Sequence, residues 1–201
     1  MRGVQNALWN GPSAIRHIRQ GPDWANVIPN QTRVLRDVMD GSLPAVSWVM
    51  PSGQASDHAA ITDGTGPSWV AAIVNAVGHS KYWEDTAIFV TWDDWGGWYD
   101  HVAPPIYNSY EYGFRVPLIV VSPYAKTHYV SHVMHDFGSI LRFIEENFGL
   151  PTLGYADYRA DNLSDCFDFN QTPLPYEFVP APIDAKYFLE DKSPPLDPDD
   201  D

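Results

Sequence analysis

Two short runs, Thr86–Thr91 (TAIFVT) and Val116–Ser122 (VPLIVVS), are apolar almost without interruption. A strand with one wet face alternates apolar and polar residues, whereas a strand covered on both faces does not. Each run is therefore expected as a strand with helices above and below it. The helices are legible too. Gly66-Pro67 opens one, since proline suits a first helical turn; Trp69, Val70, Ile73, Val74 and Val77 then share a face at helical spacing. A second starts with Asp136 as N-cap, turns Ile140, Phe143, Ile144 and Phe148 inward, and stops at Gly149 ahead of Pro151. The run PAVSWVMP at 44–51, apolar and set between prolines, is a further strand candidate. Strand, helix, strand, strand, helix predicts a layered α/β fold with a mainly parallel sheet.

The 201 residues suffice for one domain with a sizeable core, expected over residues 1–188. From Leu189 the chain reads LEDKSPPLDPDDD, acidic and proline-broken, and residues 189–201 are expected to be a disordered tail. The net charge of -14 argues against a nucleic-acid partner, which lysines and arginines would have to recruit. It also argues against broad docking on an anionic membrane. Cys166 is the only cysteine, so neither an intrachain disulfide nor a Cys-rich zinc cage is possible. The N-terminal stretch carries no uninterrupted apolar segment of the secretory kind, and no run is suited to spanning a bilayer.

In open α/β sheets ligands bind beyond the carboxyl ends of the strands. Directly after TAIFVT comes WDDWGGWYDHV, which places Asp93 and Asp94 at such an end. Adjacent residues on a strand face opposite ways, so the two carboxylates can share a ligand only where the chain bends, and Gly96-Gly97 supplies that freedom. Close carboxylates repel unless a cation neutralises them. Their oxygens suit a hard divalent ion such as Mg, Ca or Mn, with Zn and Fe also compatible. The alternative is a pair of turn-forming aspartates without a ligand. His101 follows Asp100, a carboxylate able to orient a catalytic or metal-bound imidazole; a half-buried histidine bonded to backbone is the alternative. His58 lies in the polar loop SGQASDHAA after the first strand candidate. His132 and His135 flank the start of the second helix as loop and cap residues. Trp92, Trp95 and Trp98 are candidates for pocket walls or for ordinary packing.

Five ordered blocks carry a family resemblance: SWVMPSGQASDH (47–58), GPSWVAAIVNAV (66–77), TAIFVTWDDWGGWYDHVAPP (86–105), YGFRVPLIVVSPYAK (112–126) and SHVMHDFGSILRFIEENFGL (131–150). Together they resemble the C-terminal half of the bacterial phosphoesterase family of non-specific phospholipases C and acid phosphatases, within the alkaline-phosphatase-like superfamily. The resemblance implies a three-layer α/β/α core with a mainly parallel sheet, incomplete in this chain. It implies one divalent metal ion, of open identity, with Asp93 and Asp94 as ligands. His58 would contact the transferring phosphoryl group. His101 lies in the family's DHV segment near the site, and Arg115 occupies a motif position. Many members carry Glu where this chain has Asp94, and either carboxylate binds a metal.

In that family the N-terminal half supplies a Glu-Asn pair to the metal, another histidine and the Ser or Thr nucleophile. No ENRSFDH-type motif occurs in these 201 residues. The resemblance thus implies a phosphoric ester hydrolase acting through a phosphoenzyme, on a phosphoester such as a phospholipid or a small phosphomonoester. This chain would carry the Asp-Asp metal half of the site, with the missing N-terminal half of the domain as its partner. On that view the chain by itself is expected to bind metal weakly. The family also implies a secreted or periplasmic location. Two alternatives stand beside this reading: a non-catalytic remnant that binds metal or phosphate, and an aromatic, acidic carbohydrate-binding module.

Overall fold

A computed structural model describes residues 11–59, 61–98 and 100–191. Its helices are α1 (Gly11–Ala14), α2 (Arg16–Arg19), α3 (Arg33–Asp40), α4 (Thr65–Gly78), α5 (Phe137–Phe148), α6 (Ala156–Arg159) and α7 (Ala185–Glu190). The strands are β1 (Ile88–Thr91) and β2 (Leu118–Val121). The chain divides into two compact units, one of residues 1–82, 93–115 and 177–201, the other of residues 83–92 and 116–176.

The first unit is helical. In α3, Arg33 Nε reaches Asp37 Oδ1 at 2.6 Å, one turn on, and Gly41 ends the helix at φ 72°, a conformation that glycine adopts without strain. Helix α4 starts after Gly64, whose carbonyl accepts from the Ser68 hydroxyl at 2.7 Å. As the spacing required, Trp69, Val74 and Val77 are buried, joined by Ala71 and Ala72, while Val70 and Ile73 are half-buried. Helix α7 is capped by Asp184, which accepts from the Lys186 and Tyr187 amides. It brings Phe188 against Trp69, ring centroids 5.1 Å apart. Leu35, Ala55, Trp69, Ala72 and Phe188 form the core of this unit.

One expectation fails here. The run at 44–51 bends at residues 45–46 and forms no strand among the described residues, and Trp48 and Met50 are exposed; apolar character favours a strand, but a strand also needs a ladder partner. Of the tail expected from Leu189, Leu189 and Glu190 close α7, because Asp184 starts a helix whose Phe188 enters the core. Residues 192–201, like 1–10, lie outside the described residues.

The second unit is α/β. Strands β1 and β2 pair antiparallel, with Ile88 opposite Val121, Phe89 opposite Val120, Val90 opposite Ile119 and Thr91 opposite Leu118. The expected parallel relation is therefore corrected for this pair, and a three-layer arrangement is not formed by the described residues. An apolar run reports burial, not direction, and the long segment between these strands permits either sense. Nor are both faces buried. Phe89, Leu118 and Val120 pack on Ile140, Phe143, Ile144, Leu163 and Phe167, while Ile119 on the other face is exposed. Aromatic contacts tie strand to helix: Phe89 meets the edge of Phe143 at 5.0 Å, and Phe143 stacks on Phe167 at 5.2 Å. Helix α5 runs between the residues that the sequence marks, with Asp136 N–H donating to Ser139 Oγ at 3.1 Å and Gly149 left-handed at its end. Phe148, expected inward, is exposed in the last position of the helix.

Beyond α5, the buried Asp157 is surrounded by donors: the Thr152 hydroxyl and the amides of Tyr155 (2.9 Å) and Gly154 (3.2 Å). These bonds, that of Thr152 foremost, outweigh burial and pull its carboxyl down to about 2. An unfolded aspartate titrates near ~3.9. The unfolded chain therefore binds the proton more readily, and this contribution is present above about pH 4 and lost as pH falls through about 2. Thermal melts taken stepwise from pH 5 to pH 2 are expected to show a falling melting temperature over that window. The slope is expected to flatten in Asp157→Asn; an unchanged slope would contradict the assignment.

Candidate active site

The segment after β1 turns at once. Gly96 N–H donates to Asp94 Oδ1 at 2.6 Å, an Asx turn, and both Gly96 (φ 56°) and Gly97 (φ 78°) are left-handed. This is the bend that the paired glycines called for. It leaves Asp93 and Asp94 exposed. Among the described residues no hydrogen bond or ion pair engages the Asp93 carboxylate, and Asp94 has the Gly96 amide alone. Two exposed carboxylates on a tight turn, one of them unengaged, fit a hard cation chemically. Among the described residues no third His, Cys, Asp or Glu ligand atom joins them.

Farther along, Asp100 fixes the loop. Arg115 donates through Nε to Oδ2 (2.9 Å) and through Nη2 to Oδ1 (3.0 Å), a two-pronged bond, while Val102 N–H adds a third at 2.8 Å. The Arg115 guanidinium in particular holds the Asp100 carboxyl below the usual range. His101, expected beside Asp100 as its oriented partner, has its imidazole largely in solvent, and its Nδ1 lies 3.5 Å from Asp100 Oδ1. The fork of Arg115 fits the carboxylate better than an imidazole at that distance. Arg115 thus sets the shape of the Asp93–Arg115 segment. Nearby, Trp95 stacks on Phe114 at 4.3 Å, whereas Trp98 is exposed.

His58 is half-buried in a tight turn. Its amide donates to Ser56 Oγ at 3.2 Å and its carbonyl accepts from Ile61 N–H at 2.7 Å. The preceding Asp57 is left-handed at φ 58°, and burial, then the charge of Asp63, raises its carboxyl. Asp57 Oδ1 sits so close to Gly66 that a Cβ there would collide with it, so this turn requires glycine in the first turn of α4. His58, Asp93, Asp94 and His101 all fall in the same compact unit.

The other unit holds a polar cluster that the sequence did not disclose. His135 lies between two carboxylates, Nδ1 at 3.0 Å from Asp161 Oδ1 and Nε2 at 3.5 Å from Asp165 Oδ1. Ser131 Oγ is 2.8 Å from His135 Nε2 and donates to Asp165 Oδ2 at 2.6 Å; Tyr129 donates to the same oxygen at 2.9 Å. Burial pushes the Asp165 carboxyl upward, but the Ser131 and Tyr129 bonds and the His135 charge outweigh it and keep it low. The buried thiol of Cys166 is pushed up to about 11, by burial first and then by the Asp165 charge. Read as a helix-start residue, His135 gave no hint of partners 26 to 31 positions downstream. The acidic spacing DNLSDC at 161–166 was the one available signal.

Comparison with known proteins agrees with the motif blocks. The model of the Phosphoesterase family matches residues 14–151. Phospholipase C B of Mycobacterium tuberculosis is 31% identical over 170 residues, covering 69% of this chain and 32% of the relative. Non-hemolytic phospholipase C of Pseudomonas aeruginosa is 29% identical over 181 residues, covering 70% of this chain and 26% of the relative. A plant protein, non-specific phospholipase C6 of Arabidopsis thaliana, is 26% identical over 132 residues, or 54% and 25%. The chain spans about a third or less of the length of these relatives. With a family match across more than half its length, the chain belongs to the phosphoesterase family.

Proposed function

We propose that the chain forms part of a metal-dependent phosphoric ester hydrolase of the phospholipase C type, with Asp93 and Asp94 as ligands to one divalent ion. The observation that carries this reading is the Asx turn after β1, which presents both carboxylates to solvent within a family of phosphoesterases. The bound ion would stabilise charge on phosphoryl oxygens and lower the pKa of a hydroxyl nucleophile. The Ser or Thr that becomes phosphorylated is assigned outside these 201 residues. In this reading His58 would donate to a phosphoryl oxygen and the solvent-facing His101 would protonate a leaving group. The Asp100–Arg115 fork would keep the carboxylate segment in shape.

The substrate class that fits the relatives' names is a phospholipid or a smaller phosphoester. An alkaline-phosphatase-like α/β/α arrangement, in which β1 and β2 belong to a larger sheet, goes with this reading, as does a secreted or periplasmic location. No helix among the described residues is long and apolar enough to cross a membrane.

The test is release of a chromophore from a nitrophenyl phosphodiester by the chain joined to the N-terminal half that this reading calls for, with and without a divalent chelator. Hydrolysis that stops with chelator and returns with added metal is expected. Phosphate or metal binding without turnover would favour the non-catalytic alternative. A lesser effect follows from the loop brace: Arg115→Met should raise KM or lower kcat about tenfold by loosening the segment, with the fold retained by circular dichroism. Unaltered kinetics would remove Arg115 from the account.

A further inference from the structure

We propose that His135 Nε2, Asp165 Oδ1 and Cys166 Sγ form a binding site for a divalent cation of the zinc class, with Asp161 orienting the imidazole. The inference rests on the second unit and is independent of the Asp93–Asp94 reading. One ligand atom from each of the three side chains lies within 4.8 Å of the others. The Nε2–Oδ1 separation is 3.5 Å and the Oδ1–Sγ separation 3.7 Å. Zinc bonds of about 2.0–2.3 Å at tetrahedral angles place neighbouring ligand atoms roughly 3.3–3.6 Å apart. Two of the three separations therefore stand close to tetrahedral values before any cation is added.

Hydrogen bonds set what a cation must displace. Ser131 has one hydroxyl proton, and it goes to Asp165 at 2.6 Å, so the 2.8 Å contact with His135 is Nε2–H donating to Ser131 Oγ. That also removes a serine-hydrolase reading of Ser131, His135 and Asp161, which needs the proton directed at the imidazole. His135 Nδ1 is buried and makes no aligned hydrogen bond among the described residues, although Asp161 Oδ1 is only 3.0 Å away. A cation would take Nε2 by displacing its proton, as metal ligands must be deprotonated, and the remaining ring proton would sit on Nδ1 facing Asp161. The nearest ammonium, Lys126, donates to the Asp165 backbone carbonyl at 2.7 Å and lies over the Tyr129 ring, so it does not neutralise the carboxylates by a contact of its own. A water would take the fourth position. Thiolate and imidazole together favour zinc over magnesium or manganese.

Cobalt(II) is the probe, since it occupies such sites and reports a thiolate ligand by charge-transfer absorption. One equivalent added to the full chain is expected to give that absorption with tetrahedral visible bands, and one equivalent of zinc should abolish them. Cys166→Ser should lose the charge-transfer band. His135→Gln, at a half-buried position, should weaken zinc binding at least about tenfold. Circular dichroism reports whether each variant folds; should Cys166→Ser fail to fold, His135→Gln decides. Absence of the charge-transfer band in the folded wild-type chain, or its persistence in folded Cys166→Ser, or unaltered zinc affinity in folded His135→Gln, would overturn the site.

Discussion

Trp69→Ala is expected to destabilise the chain by about 3–5 kcal/mol, the range for deleting a large aromatic side chain from a packed core. Trp69 is 2% exposed, and it closes the contact between α4 and α7 through Phe188. Leu35 and Ala72 cannot fill the space, because one belongs to a separate helix and the other has only a methyl group to offer. Trp48→Ala is the matched control: the same atoms are removed from a side chain that is 63% exposed, with an expected effect within about 0.5 kcal/mol. Denaturant titration of both variants measures the difference. Equal midpoints would mean that Trp69 is not the centre of this core.

On the proposed assignment, Asp93→Ala and Asp94→Ala are each expected to lower phosphodiester hydrolysis by at least about a hundredfold, with little change in melting temperature. The first expectation follows from removing a carboxylate that would help to hold the charge facing developing phosphoryl oxygens. The second follows from exposure. Neither side chain is buried, and the Asp94–Gly96 hydrogen bond is the sole interaction that these substitutions remove among the described residues. Asp94→Glu should retain much of the activity, since a longer carboxylate still binds a hard ion. Full activity in Asp93→Ala would break the proposed link between this turn and catalysis. Loss of activity together with unfolding would place the pair in the scaffold instead.

How much of this was legible follows from the range over which each signal acts. Helix α4 was readable at its start and along its apolar face, and α5 at both ends, because caps, glycine stops and one-sided apolar spacing are local. The Asp94 turn was readable for the same reason: two glycines beyond two aspartates supply the left-handed backbone that a tight turn needs. The position of β1 and β2 was readable, but their antiparallel sense was not, since direction is fixed by a partner and not by the run itself. The segment at 44–51 shows the same limit from the other side: strand-like residues with no described partner remain unpaired. Side-chain pairs distant in sequence were the least visible. Arg115 takes the Asp100 carboxylate that adjacency suggested for His101, and His135 meets Asp161 and Asp165 across the turn that follows α5. Neither pairing leaves a periodic trace.

The central claim is that Asp93 and Asp94 together hold a hard divalent cation, and manganese(II) tests it most directly. Its electron spin resonance signal distinguishes free from bound ion, and its preference for oxygen ligands separates this pair from the His135–Cys166 cluster. Titration of the chain should show one site that is lost in Asp93→Ala and in Asp94→Ala and kept in Cys166→Ser. Bound manganese should also broaden the phosphorus resonance of added inorganic phosphate. Manganese binding that persists unaltered in both aspartate variants, or no binding by the folded chain at millimolar ion, would contradict the account.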